Sequence, residues 1–233
     1  MNEPLQSMLL IAGTLLAVIA VAAVVFVLIV KIQTASRRRR IEGYGRESEQ
    51  RIDALLRKNF TDNAVMSGVY LPYLRSKDGK HAEIDHLVIN RSGVYVIEVK
   101  SHNGFIRCPD EKMWWQTYND KKISFYNPLR QNHTHVRIVS EILKSEGQYN
   151  VPVYSVVVFT SRRVTFSHKY DNLVGGDAII PYIKKTGKRN TLSTSQTGKV
   201  RAIIKNHAAK NKQVARKHRS NMRGFDKYNK NRS

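Results

Sequence analysis

The stretch Met8–Val30, MLLIAGTLLAVIAVAAVVFVLIV, runs 23 residues without a charged side chain. At about 1.5 Å per residue, a helix of that length covers the roughly 30 Å hydrocarbon core of a bilayer. It has no polar face, as the surface helix of a water-soluble domain would. A cleaved signal peptide would open with basic residues and carry a shorter apolar run, whereas this chain opens Met1-Asn2-Glu3-Pro4. Residues 1–31 therefore read as a membrane anchor with one transmembrane helix over 8–30. Lys31 and Arg37-Arg38-Arg39-Arg40 follow it directly, and basic flanks stay cytoplasmic. The expected topology is single-pass, with the N-terminus outside and everything after Lys31 in the cytoplasm, as in a bacterial inner membrane.

The remaining 200 or so residues suffice for one ordinary domain with flanks. The chain has 40 Lys plus Arg against 18 Asp plus Glu, a formal charge of +22. Such an excess points to an anionic partner, either nucleic acid or the anionic headgroups of the cytoplasmic leaflet. The one cysteine, Cys108, cannot form an internal disulfide.

Residues 32–43 read as a basic, polar tether. From Gly45 to Phe60, Ile52, Leu55, Leu56 and Phe60 recur at helical spacing. Val65–Leu74, Glu83–Asn90 and Gly93–Lys100 read as strands, the last two joined by a hairpin turn at Asn90-Arg91-Ser92-Gly93. Phe105–Arg107, Trp114–Tyr118 and Lys122–Phe125 are shorter candidates. Pro128 opens a second helix, running to about Ser145. Val153–Thr160 is a continuous apolar run, expected as a buried strand. The span Ala178–Lys185 is ambiguous, and Thr194–Ala208 reads as a helix. This order predicts an α/β fold, a mixed sheet flanked by helices. Residues 209–233 read as a disordered basic tail.

Chemistry concentrates between Glu83 and Lys100. On the strand Gly93–Lys100, Glu98 and Lys100 lie two apart and share a face. Charged groups closing an apolar strand need partners or a task. The hairpin brings Asp85 near Glu98, and two adjacent carboxylates are reconciled by a divalent cation. A lysine beside such a cation can position a water or help deprotonate it. Taken alone, Asp…Glu-x-Lys is also the pattern of a strand ending in a solvated salt bridge.

From Gly45 to Ser161 the chain resembles the nuclease-related domain (NERD) family of the PD-(D/E)xK nuclease superfamily. The resemblance is carried by Gly45-Arg46-Glu47-Ser48-Glu49-Gln50-Arg51-Ile52, Glu83-Ile84-Asp85-His86 and Gly93-Val94-Tyr95-Val96-Ile97-Glu98-Val99-Lys100. It continues in Gly104, Ile106 and Trp114 or Trp115, in Asn127-Pro128-Leu129-Arg130-Gln131-Asn132, and in Val156-Val157-Val158-Phe159. It implies a restriction-endonuclease-like mixed sheet and a nuclease domain over 44–208. Asp85 and Glu98 would bind a metal, and Lys100 would be the catalytic lysine. Glu49 would be the first-helix acid, with Glu47 the alternative, and Gln131 would line the site. The implied cofactor is Mg²⁺, with Mn²⁺ as an alternative. The implied substrate is DNA, with RNA kept open.

Other signals are weaker. His133 and His135, two apart on a helix, do not face together and do not read as a zinc pair. His86 and His102 flank the site, where phosphate contact competes with packing. Trp114-Trp115 reads as a core pair rather than a base-stacking platform. Arg216, Lys217, Arg219 and Arg223 in the tail fit sequence-independent phosphate contact or contact with anionic lipid. Three functions follow: a membrane-anchored, metal-dependent deoxyribonuclease; a catalytically silent nucleic-acid-binding module on the membrane; and a membrane adaptor.

Overall fold

The computed structural model describes residues 3–76, 79–186 and 191–209. Arg216, Lys217, Arg219 and Arg223 lie outside the described residues, as does all of the tail after Ala209. The chain divides into two units, Met1–Arg46 and Glu47–Ser233. The first helix, α1, spans Glu3–Asn59. Among the described side chains of the first unit, apolar ones are uncovered, Leu16 and Phe26 among the most exposed. The helix is long and apolar enough to cross a membrane. Residues 32–43, expected as a tether, are helical too. The run is rich in Arg and lacks Pro, so nothing in it stops a helix.

The second unit holds the end of α1 and all remaining elements. In chain order these are β1 (Val65–Pro72), β2 (His81–Asn90), β3 (Gly93–Lys100), β4 (Gly104–Arg107), β5 (Met113–Tyr118) and β6 (Lys121–Tyr126). Next come α2 (Pro128–Ser145), β7 (Val153–Phe159), β8 (Val164–Phe166), β9 (Leu173–Gly175), α3 (Ile179–Thr186) and α4 (Thr194–His207). The ambiguous span near Ala178 is thus helical.

Two sheets form where the sequence suggested one. The first runs β1-β2-β3-β7-β9 and is mixed. Strands β1, β2 and β3 pair antiparallel, while β3 with β7 and β7 with β9 are parallel. The second runs β6-β5-β4-β8. Strands β8 and β9 are three residues each, too short to show an alternation pattern, and both exist through parallel pairing with distant segments.

The first sheet is buried on both faces. Leu87, Ile89, Val94 and Val96 pack with Ile138, Val139 and Ile142 of α2 and with Val200, Ile203 and Ile204 of α4. Val88, Tyr95, Ile97 and Val156 pack with Ile52 and Leu56 of α1 and Ile179 and Ile183 of α3. A third cluster joins Ile106 and Trp114 of the second sheet to Val157 and Phe159. The two tryptophans part company: Trp114 is buried, whereas Trp115 lies half-buried under the Lys122 ammonium, 5.8 Å from its ring centre.

Candidate active site

The register of β2 on β3 determines where the charged residues meet. The hairpin pairs Asn90 with Gly93 and runs to His86 opposite Ile97. The next residues in this register are Asp85 and Glu98, and there the ladder stops. The Val99 amide instead donates to Oδ2 of Asp85 at 2.7 Å. Beyond this point β2 stays with β1 down to His81, and β3 stays with β7 up to Lys100. The strands separate, and the carboxylates sit where they do so.

Strand β1 marks the same place. Gly68 lies across from Asp85, between the Ser67–His86 and Val69–Ile84 pairs, with φ of 60°. Strand alternation breaks here, because Ile84 and Leu87 face the same apolar cluster. Gly tolerates this left-handed backbone without a Cβ penalty, and breaks of this kind re-aim side chains.

Glu98 is buried at 2% exposure. The Lys100 ammonium donates to Oε1 of Glu98 at 2.6 Å and to Oε1 of Gln131 at 3.1 Å. Gln131 stands in the first turns of α2, whose start is secured by Pro128 and by the Asn127 side chain accepting the Leu129 and Arg130 amides. Asn132 is fully buried. Its side-chain amide donates to Val96 O at 2.9 Å, Val156 O at 3.1 Å and Ser155 Oγ at 2.9 Å. Asn132 thus locks α2 over the junction of β3 and β7 and holds Gln131 above Lys100.

From the other side, α1 supplies Glu49. It is half-buried, and its charge acts on both Asp85 and Lys100. Glu47 is exposed. Of the two first-helix candidates, Glu49 is the one electrostatically coupled to the cluster. Thr160 ties this turn to the strand end: its hydroxyl donates to Ser48 Oγ at 2.9 Å, and its amide donates to Lys100 O at 3.0 Å.

The electrostatics follow from burial and crowding. Burial raises the Asp85 carboxyl well above its ordinary range, and the charges of Glu98 and Glu49 push it further. Lys100 and the Val99 amide oppose this. Burial alone would lower Lys100, but Glu98, Asp85 and Glu49 outweigh it and hold the ammonium above its usual range.

Sequence reasoning weighed His135 only with His133 as a zinc pair and did not place it at the carboxylate site. It follows Gln131 by one helical turn, is buried, and places Nδ1 3.5 Å from Oε2 of Glu98. The i,i+4 spacing of Gln131 and His135 is the signal that could have found it. His133 is exposed, so the pair does not converge. His86 packs toward α1, with Nδ1 3.1 Å from Ser67 Oγ and 3.8 Å from Asp53; burial lowers its pKa to about 4. His102 meets the Phe125 ring edge-on with centres 4.0 Å apart, and burial lowers it to about 4 as well. Both are packed neutral imidazoles.

Among the described residues, no three His, Cys, Asp or Glu side chains are grouped so that they could hold a metal ion. Any cation here would depend on two carboxylates, with water or substrate completing its shell.

Comparison with known proteins fits this arrangement. An uncharacterised Bacillus anthracis protein is 33% identical over 82 residues, which make up 35% of this chain and 37% of that protein. The chain thus matches little more than a third of that relative's length. No solved structure matches the chain. The family model of the nuclease-related domain, NERD, matches residues 44–160, and these contain all five residues singled out for the site: Glu49, Asp85, Glu98, Lys100 and Gln131. The chain belongs to the nuclease-related domain family.

Proposed function

We propose that this protein is a membrane-anchored, metal-dependent nuclease of PD-(D/E)xK type that hydrolyses DNA phosphodiester bonds at the cytoplasmic face. The observation that carries the reading is the convergence of Glu49, Asp85, Glu98, Lys100 and Gln131 where β2 and β3 part.

The donor set suits a magnesium-class cation. Such ions keep several waters and take one or two carboxylates plus substrate phosphate oxygens. Asp85 and Glu98 would hold it, with Mn²⁺ as an alternative to Mg²⁺. Oε2 of Glu98 is a buried oxygen with no hydrogen bond among the described residues, the kind of atom a cation would satisfy. When bound, the cation would polarise a phosphoryl oxygen and acidify a water. Lys100 would donate to a phosphate oxygen, or position the attacking water and help deprotonate it. Gln131 restrains the ammonium, and Glu49 completes the acidic wall from the helix side.

Met8–Val30 would anchor the enzyme, with Lys31 and Arg37–Arg40 keeping the domain cytoplasmic. Arg216, Lys217, Arg219 and Arg223 would add phosphate or anionic-lipid contacts. The test is plasmid cleavage by the full chain with magnesium, with manganese and with chelator. Cation-dependent nicking that Asp85→Asn abolishes supports the reading; binding without cleavage under every cation refutes it. One observation favours the silent binding module: the Lys100 ammonium already neutralises Glu98 at 2.6 Å, a state that needs no metal.

A further inference from the structure

A second cationic feature lies at the free edge of the first sheet. β1 is its outermost strand. Beside β1 runs a cleft of about 390 Å³, lined among others by Arg57, Ser67, Gly68, Arg201, Lys205 and Ala209. Arg57 comes from α1, on one face of the sheet; Arg201 and Lys205 come from α4, on the other. The edge is thus flanked by cations from both helical layers.

The cations differ in their ties. Arg57 is engaged by Asp53 at 2.9 Å and Asp62 at 3.7 Å, and Asp62 is the carboxylate in the cleft wall. Among the described residues, Arg201 and Lys205 have no ion-pair partner. Nη1 of Arg201 is buried without a hydrogen-bond acceptor. A buried guanidinium N–H left unsatisfied is costly.

We propose that this cleft binds the phosphodiester backbone of nucleic acid and guides it to the carboxylate site. One observation favours a nucleic-acid strand over a lipid surface. Gly68 in the cleft wall lies directly across from Asp85 in the β1–β2 register, so the cleft edge and the backbone that carries this carboxylate are on neighbouring strands. No atom lies within 4 Å of where a Gly68 Cβ would stand, so the wall is open there. The cleft also meets the start of the basic tail. The Ala209 amide donates to Tyr70 O at 2.9 Å, and residues 210–233 carry nine Lys or Arg against one acid, Asp226. This inference rests on the nucleic-acid part of the proposed function but not on cleavage, since a silent binding module would use the same cleft.

The experiment compares the full chain in detergent micelles with Arg201→Gln/Lys205→Gln. A labelled DNA duplex of mixed sequence is titrated by fluorescence anisotropy over a range of salt. Each phosphate contact contributes about 0.9 to the slope of log affinity against log salt. The double variant should lower that slope by roughly 2 and weaken binding on the order of tenfold at moderate salt. Its circular dichroism melt should match wild type, and Arg201→Lys should recover part of the affinity. Asp85→Asn, assayed in parallel, should lose any cleavage, and the double variant should still bind magnesium in a calorimetric titration, so failure of the cleft and failure of the active site read out separately. An unchanged slope in the double variant overturns the proposal. So does a variant that keeps DNA affinity but loses binding to phosphatidylglycerol vesicles, which would assign the cleft to lipid headgroups.

Discussion

Replacing Asp85 by Asn should stabilise the protein in the absence of divalent cations. Asp85 and Glu98 are like charges that act on one another where β2 leaves β3. At about 5 Å and an effective dielectric near 20, that repulsion is about 3 kcal/mol. Attraction to Lys100 opposes it, and the burial penalty on the Asp85 charge is the largest unfavourable contribution. Against its removal stands the weakening of a charge-assisted hydrogen bond from Val99 to a neutral one, about 1 kcal/mol. A net gain on the order of 1–2 kcal/mol raises the melting temperature of a chain this size by about 2–8 °C. The pH dependence has a definite sign. Because the folded-state carboxyl is raised above 3.8, the folded protein resists losing that proton. The wild type therefore loses stability as pH climbs from about 3.8 through the folded pKa. The variant lacks this loss, so its advantage appears above that pH and grows toward neutrality. With magnesium at a hundredfold excess over its dissociation constant, the wild type gains about 2.7 kcal/mol, and the order reverses. The assay is thermal melting by circular dichroism from acid to neutral pH, with chelator and with magnesium. A variant less stable than wild type at neutral pH in chelator would refute the reasoning, as would an advantage independent of pH.

Other outcomes follow from the same contacts. Lys100→Met should still bind magnesium in a calorimetric titration but cleave DNA about 100- to 10,000-fold more slowly; its melting temperature in chelator should fall, because Glu98 is left buried without its cation. Asn132→Leu keeps side-chain volume but removes three hydrogen bonds, and urea denaturation should show a loss of about 2–3 kcal/mol. Gly93→Ala should disrupt folding, since Gly93 has φ of 136° and a Cβ there would collide with the Pro152 carbonyl; a soluble variant with wild-type melting would contradict this. Deleting 210–233 should weaken DNA binding at all sequences and flatten its salt dependence in anisotropy titrations.

Where local chemistry is decisive, the residues announce their structure. β2 and β3 are runs of β-branched and aromatic residues around a turn whose geometry is held by Asn90 Oδ1 accepting the Ser92 amide at 2.8 Å. α2 begins at Asn127-Pro128, where a capping side chain and a fixed φ leave little choice. Glu98 and Lys100 share a face because strands have a period of two. The uncharged run of Met8–Val30, the positive excess and the blocks shared with the nuclease-related domain are likewise properties of the chain alone.

The rest depends on contacts between residues far apart in sequence. β8 and β9 are strands only because β4 and β7 offer them edges, and that divides the domain into two sheets. Trp114 and Trp115 are adjacent, yet one enters the core and the other does not, since a pleated strand sends neighbours to opposite faces. Glu49, Asp85, Glu98, Lys100 and Gln131 meet because α1 and α2 dock at the point where β2 leaves β3. His135 joins Glu98 only through the rotation of α2 that Asn132 enforces. Residue type and spacing determine which groups a segment can present. Register and packing are non-local, and only they decide which groups come within bonding distance and how burial alters their charge.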